Sequence, residues 1–207
     1  MKFLIILLFS IAILPGCVNI QKMYDESFAL KAPSYKDDIP KAAVGTQPAK
    51  ANRNEKISFE LNEMDSIIEI DGIKSYYQVF SIEATHEELV SFTAFSPIQS
   101  SPNFYIILPR IFIVNREGNV VFQGSAKSGK VGRESGWDPL HLETYWEFEA
   151  SIGGEYLILF SSDNRNLGKE IEFARWFNVL AGPLFGGVHR FIADYDGPVK
   201  LLVESKI

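Results

Sequence analysis

The stretch LETYWEFEA, residues 142–150, has the most regular alternation of apolar and polar side chains in the sequence. One set of alternate positions holds Leu142, Thr144, Trp146, Phe148 and Ala150, and the other holds Glu143, Tyr145, Glu147 and Glu149. Successive side chains of a β-strand point to opposite faces, whereas the 3.6-residue period of a helix would mix the two sets. The stretch therefore predicts a strand with one face in a core and the other towards solvent.

Further short strands are predicted on both sides of this stretch. Apolar runs, several of them alternating, cover residues 57–61, 67–70, 76–82, 89–95, 111–114, 119–122, 156–160 and 199–203. Turn-forming pairs such as Asp71-Gly72 and Gly153-Gly154 separate these runs, and a spacing of about 10 residues is typical of all-β folds. We predict an all-β, antiparallel, jelly-roll-like β-sandwich that forms a single domain at residues 57–207.

The most apolar stretch after the N-terminal segment, residues 104–114, is interrupted by Pro109. Proline has no N–H for a strand ladder and is confined to strand starts, edges and bulges. We therefore predict that residues 111–114 form a central strand and that residues 105–108 lie at an edge or bulge.

Two segments between the strands are predicted to have other structures. Residues 124–136 contain four glycines and many charged side chains, which favours a surface loop. In residues 169–180, Ile171, Ala174 and Arg175 fall on one side of a helix. We predict a short helical insertion there, near the C-terminus.

The start of the sequence has the parts of a secretory signal. Lys2 supplies a positive charge, residues 3–14 are almost all apolar, and Pro15-Gly16 precede the one cysteine, Cys17. A transmembrane anchor or a buried helix is the alternative, but a membrane span needs about 20 apolar residues.

This segment is similar to the lipobox of bacterial lipoproteins. The resemblance implies a signal peptide at residues 1–16 and acylation of Cys17, with chains such as palmitate. Val18 stands where an aspartate would favour the inner membrane. The resemblance therefore implies a lipid anchor at the periplasmic face of the outer membrane.

Residues 17–56 are predicted to be a flexible tether that follows the lipidated cysteine. Pro33, Pro40 and Pro48 interrupt any long helix, and small or charged residues dominate between them. The alternative is that residues 29–35 pack on the edge of the domain.

Composition limits the classes of partner. The sequence is 46% hydrophobic and 13% aromatic, which indicates a globular protein, and its formal net charge of −6 argues against nucleic acid. A cysteine used as a lipid acceptor leaves none for a disulfide.

Four short segments spread over residues 57–162 carry a family resemblance. ISFEL at 57–61 and GIKSYY at 72–77 are followed by LPRIFIVN at 108–115 and EYLILFSS at 155–162. In this order the segments resemble the maltose-operon periplasmic protein family. The resemblance implies a periplasmic or lipid-anchored protein linked to carbohydrate uptake, and it carries over no catalytic residue. Residues 163–198 depart from the family pattern.

Patterns that would indicate a cofactor or a metal are incomplete. GSAKSGK at 124–130 has the spacing of a phosphate-binding loop, but Val131 stands where a hydroxyl residue would hold magnesium. The histidines are His86, His141 and His189, and their spacing matches no metal site. We predict no cofactor, no metal and no catalytic residues.

The segment around Trp137 is the candidate ligand-binding loop. An exposed indole offers a flat apolar face to a sugar ring, and Asp138 and His141 carry groups that bond hydroxyls. Tyr145 follows on the outward side of the next predicted strand. The alternative is that Trp137 folds back onto the core, as large aromatic side chains usually do.

Three hypotheses of function follow. The first is a non-catalytic, lipid-anchored envelope protein that is accessory to carbohydrate uptake of the maltodextrin type and has a protein partner in the envelope. The second is a carbohydrate-binding module whose ligand is an oligosaccharide. The third is an envelope hydrolase, for which no nucleophile–base pair is evident in the sequence.

Overall fold

The computed structural model describes residues 20–100, 104–126, 129–132, 140–174 and 188–206. Two helices lie near its start, α1 (Ile20–Ala29) and α2 (Ile39–Gly45). The strands are β1 (Tyr35–Lys36), β2 (Ala49–Lys50), β3 (Lys56–Leu61), β4 (Ser66–Ile70), β5 (Ile73–Ala84), β6 (Leu89–Pro97), β7 (Gln99–Ser100), β8 (Phe104–Ile107), β9 (Pro109–Asn115), β10 (Val120–Ser125), β11 (Lys130–Gly132), β12 (His141–Glu149), β13 (Gly154–Ser162), β14 (Glu170–Ala174), β15 (Val188–Asp194) and β16 (Gly197–Lys206). A 3₁₀ turn, Asn164–Asn166, follows β13.

The strands form three sheets. Sheet A has the order β1-β4-β5-β13-β9-β10, with β2 also paired to β5. Sheet B has the order β11-β12-β6-β16-β3, and sheet C has the order β14-β15-β8-β7. Most pairs are antiparallel, while β1–β4, β2–β5 and β15–β8 are parallel.

Sheets A and B face each other across the main core, which confirms the predicted all-β sandwich. The stretch at residues 142–150 becomes β12, which pairs with β6 from His141↔Pro97 to Glu149↔Leu89. Trp146 and Phe148 of β12 are buried in this core with Ile113 and Ile158 of sheet A, while Leu142 is buried in a separate apolar cluster. The predicted inward and outward faces of β12 are both correct.

The other side of sheet A carries a second, smaller core. Tyr77, Phe112 and Leu159 are buried there against Ala42 of α2. Every residue of β9 is buried, because both faces of that strand are covered. This explains why β9 is a continuous apolar run and not an alternating one.

The predicted position of the segment before Pro109 is wrong. β8 lies between β15 and β7 inside sheet C, so it is neither an edge nor a bulge of the sandwich. Pro109 is the first residue of β9, where its missing N–H costs no internal ladder bond. The proline separates two strands of different sheets.

The turn at Gly153-Gly154 does not join the two strands of a hairpin. β12 belongs to sheet B, whereas β13 pairs with β5 and β9 in the middle of sheet A. The turn therefore carries the chain from one sheet to the other. Tyr156 holds it, donating a hydrogen bond to the Ile152 carbonyl at 2.6 Å.

Two further segments differ from their predicted structure. Glu170–Ala174 forms strand β14 and pairs with β15, so the predicted helix is wrong there; residues 175–180 lie outside the described residues. Within the predicted loop 124–136, Lys130–Gly132 forms β11 at the edge of sheet B. In both cases a distant strand supplies the hydrogen bonds that local sequence could not predict.

The segment predicted as a tether is folded from Ile20 onward. α1 packs on the main core, β1 pairs with β4, α2 covers the second core, and β2 pairs with β5. The flexible-tether prediction is wrong for residues 20–56, because Phe28 and Ala42 bury apolar surface in the main core and in the second core. The pairing of Tyr35 with Ile68 agrees with the alternative that this segment packs on the domain edge.

Candidate functional site

The four predicted ligand-binding residues are only partly within the described part of the protein. Trp137 and Asp138 lie outside the described residues, as does the lipidation residue Cys17. His141 and Tyr145 both lie on the outward face of β12. They are four residues apart along the strand, a separation of about 13 Å, so they share a face without touching.

Tyr145 is the exposed aromatic residue of this face. Its side chain is 41% exposed, and its hydroxyl donates a hydrogen bond to a Glu147 carboxylate oxygen at 2.5 Å. Lys206 from the neighbouring part of sheet B pairs with the same carboxylate, and its Nζ lies 5.1 Å from the Tyr145 ring centroid. The ring is therefore held in one orientation, with a cation above it.

The charges of this trio reinforce each other. The hydrogen bond from Lys206, followed by that from Tyr145, lowers the pKa of Glu147. The same contact with Glu147 raises the pKa of Lys206. The carboxylate and the ammonium group are thus both charged at neutral pH, and the trio offers an aromatic ring beside an ion pair.

His141 is packed and not presented to solvent. It is 6% exposed, and its ring lies 5.3 Å from the Phe95 ring in an edge-to-face arrangement. Lys56 places its Nζ 4.5 Å from the Phe95 ring centroid. These contacts make His141 part of a small aromatic cluster on the outer face of sheet B.

The middle of this outer face holds a small, buried side chain. Thr93 is the cross-strand neighbour of both Tyr145 and Leu202 and is only 6% exposed. The described part of this face therefore offers a ligand the Tyr145 ring and the charges of Glu147 and Lys206.

A second candidate site is the surface where α1 meets sheet A, the side on which the chain arrives from Cys17. Tyr24 donates a hydrogen bond to the Lys74 carbonyl at 2.9 Å and accepts one from the Lys74 N–H at 3.0 Å. Phe28 is 3% exposed and lies 4.7 Å from the Tyr76 ring. Burial raises the pKa of the Tyr24 hydroxyl, which therefore stays neutral.

Lys74 also fixes the end of α1. Its Nζ donates to the carbonyl oxygens of Phe28 at 3.0 Å and Lys31 at 2.7 Å. The Phe28 carbonyl belongs to the last turn of the helix and Lys31 lies two residues beyond its end, so the Lys74 ammonium group caps the C-terminus of α1. Sequence reasoning missed this site, although the i, i+4 aromatic pair Tyr24 and Phe28 was the available signal.

Within the described ranges, no group of three or more His, Cys, Asp or Glu residues is placed to hold a metal ion. The helices among the same residues are all too short or too polar to cross a bilayer.

The chain matches no family model and no curated protein. The pre-peptidase C-terminal domain of a collagenase from Bacillus anthracis is 10% identical, with a TM-score of 0.35 over 77% of this chain and 96% of that one. PliG, a periplasmic inhibitor of g-type lysozyme from Aeromonas hydrophila, is 11% identical, with a TM-score of 0.33 over 78% of this chain and 97% of that one. Likenesses this distant assign no function to the chain.

Proposed function

We propose that the protein is a non-catalytic, lipid-anchored envelope protein, held by Cys17 at the periplasmic face of the outer membrane and accessory to carbohydrate uptake of the maltodextrin type. The N-terminal motif ending at Cys17 and the family resemblance of residues 57–162 support the proposal. Its partner is then another envelope protein.

The observation that carries the proposal furthest is the docking of α1. The helix begins at Ile20, three residues after Cys17, and it is fixed to the core by Tyr24 and Phe28. Three residues span at most about 11 Å, whereas a free tether of 39 residues would reach about 35 Å. A lipid on Cys17 would therefore hold the domain against the bilayer, and its partners would lie at the same membrane surface.

The anchor is tested by Cys17→Ser with Val18→Ser as the matched control. Stable attachment requires more than one acyl chain, so we expect Cys17→Ser to leave the membrane fraction or to remain uncleaved. Uptake of labelled maltodextrin should fall in cells carrying Cys17→Ser and stay unchanged with Val18→Ser. A processed Cys17→Ser protein that still sediments with membranes would contradict the anchor, and unchanged uptake would contradict the carbohydrate role.

Carbohydrate binding is the second candidate function, and the exposed, fixed ring of Tyr145 favours it. Open aromatic sites bind sugars weakly, with a Kd of about micromolar to millimolar. Maltodextrin should then quench the fluorescence of Trp137, and Trp137→Ala should abolish the response. Trp146 is the internal control, because it is buried in the main core. If no oligosaccharide changes the emission at millimolar concentration, the binding-module hypothesis fails.

A further inference from the structure

Arg110 is a buried guanidinium near the start of β9. The residue is 7% exposed and lies between Ser161 of β13 and Ser125 of β10 in the register of sheet A. Its guanidinium carbon is 4.6 Å from the Phe112 ring centroid, on the side of sheet A that faces away from sheet B. The strand thus places a permanent cation over an apolar surface.

This cation forms no direct ion pair with a carboxylate of the described residues, although the charges of Asp163 and Asp71 act on it. The Nε atom of Arg110 is buried without a hydrogen-bond partner there. The nearby carboxylate of Asp163 is engaged elsewhere, because Arg165 donates to it from both Nε and Nη2. A buried donor without a hydrogen-bond partner is costly, and native structures seldom keep one without a reason.

The surroundings of Arg110 are polar and charged. Burial and the positive charge of Arg165 both lower the pKa of Arg110, while the carboxylates of Asp163 and Asp71 act in the opposite direction. Burial would raise the pKa of Asp163, but its bonds to Arg165 hold that pKa below the usual value. Asp163 is therefore a fixed carboxylate that orients Arg165 beside Arg110.

A second orphaned polar atom lies next to this cluster. Asn164 is 7% exposed, and its side-chain oxygen has no hydrogen-bond partner among the described residues. Its amide nitrogen donates to the Lys74 carbonyl at 2.9 Å, the same carbonyl that Tyr24 of α1 contacts. The cluster thus lies at the end of sheet A that adjoins α1.

We propose that Arg110, with Arg165 beside it, binds one anionic group, a phosphate or a carboxylate, carried by a small molecule or by a lipid headgroup. A guanidinium presents a planar fork of N–H donors that fits two oxygens of such a group. Arg165 is oriented by Asp163 and its side chain is 40% exposed, so it is placed to meet the ligand from the solvent side. The bound anion would accept a hydrogen bond from the buried Nε of Arg110, which has no partner among the described residues.

The test is calorimetric titration of the full chain in detergent with three probes: inorganic phosphate, succinate and glycerophosphoglycerol. We expect a millimolar Kd for at least one probe, weakened at least tenfold by Arg110→Gln and severalfold by Arg165→Gln. Arg116→Gln is the matched control, because Arg116 is exposed just beyond the other end of β9. It should bind as the unaltered protein does. Preference for the phosphodiester would identify a lipid headgroup as the source, and preference for phosphate or succinate a soluble ligand.

Several outcomes would overturn the proposal. One is no binding of any probe, and another is a folded Arg110→Gln protein that binds normally. Equal weakening by Arg116→Gln would show a diffuse charge effect. If Arg110→Gln does not fold, an Arg165→Gln protein with a Kd within twofold of the unaltered one overturns it equally. As a second measurement, Arg110→Met should raise the Tm without anion and remove the rise in Tm that the anion gives. A purely structural Arg110 would instead show a lower Tm on this change.

Discussion

At the scale of single residues, two buried carboxyl groups have opposite environments. Asp163 is held charged by Arg165, as described above. Asp194 is 9% exposed, and the charge of another acid, Asp196, acts on it. Burial, with a smaller contribution from the charge of Asp196, raises the pKa of Asp194 to about 6. The first carboxyl group therefore stabilises the fold when ionised, and the second does so when protonated.

The raised pKa of Asp194 predicts a fall in stability with rising pH. Between 3.8, the usual value for aspartate, and about 6, the folded state binds more protons than the unfolded state. The free energy of unfolding should therefore fall through this window by about 3 kcal/mol and change little above it on account of this group. Asp194→Asn keeps the acceptor for the Tyr195 N–H and should flatten the decline.

Urea denaturation at several pH values between 4 and 8 measures this effect. Glu155→Gln, an exposed change of the same charge on β13, is the control. We expect Asp194→Asn to be more stable than the unaltered protein at pH 7 and nearly equal to it at pH 4. Parallel curves for the two proteins would show that Asp194 does not titrate in this range.

At the scale of elements, α1 is a short helix whose stability comes from its contacts with the sheet. A ten-residue helix is marginal alone in water. The buried Phe28 ring, the Tyr24 hydroxyl and the capping Lys74 ammonium hold it in place. Losing any one of them should loosen the helix before the sandwich itself.

Phe28→Ala is predicted to detach α1. A phenylalanine of this burial contributes about 3–5 kcal/mol, more than so short a helix has in reserve. Hydrogen exchange should show loss of protection at residues 20–31, with the amides of β5 still protected. Met23→Ala, a change on the exposed side of the same helix, is the control. If residues 20–31 exchange freely in the unaltered protein, the helix is not docked, and a long flexible segment separates the domain from Cys17.

Some elements could be predicted from the sequence and others could not. Alternation predicted β12 and its inward face, because the two sides of that strand meet different surroundings. It failed for β14, where pairing with β15 some twenty residues away overrides the local helical spacing. It failed for α1 because two aromatic residues do not reveal their partners on distant strands. The sequence did not indicate Arg110 as an anion-binding residue, since a lone arginine in a strand is normally exposed to solvent.

At the scale of the whole molecule, β16, the last strand, pairs with β3, the first strand of sheet B along the chain. It lies between β6 and β3 in sheet B, pairing Leu201 with both Ile57 and Ala94. Val199, Leu201 and Val203 are buried in the main core. Sheet B and the sandwich core therefore depend on this strand.

Leu201→Asp should unfold the whole sandwich, because it buries an unpaired carboxylate in the main core. The penalty of several kcal/mol is comparable with the total stability of a typical domain, about 5–15 kcal/mol. Lys200→Asp, one residue earlier on the exposed face, is the matched control. Circular dichroism and calorimetry should show a cooperative transition for the control and none for Leu201→Asp. A normal melting curve for Leu201→Asp would show that sheet B does not need β16.

The position of β16 also determines how late in synthesis sheet B can be completed. β3 emerges from the ribosome early, but its partner strand follows some 135 residues later, about 7–27 s at ordinary rates of synthesis. Until then β3 has no partner strand in sheet B, and the polypeptide has no complete sandwich to collapse into. The proposed export requires the polypeptide to pass through a translocation channel unfolded. The delay keeps the polypeptide unfolded long enough for this passage. Until β16 is present, β3 and β6 remain accessible to chaperones.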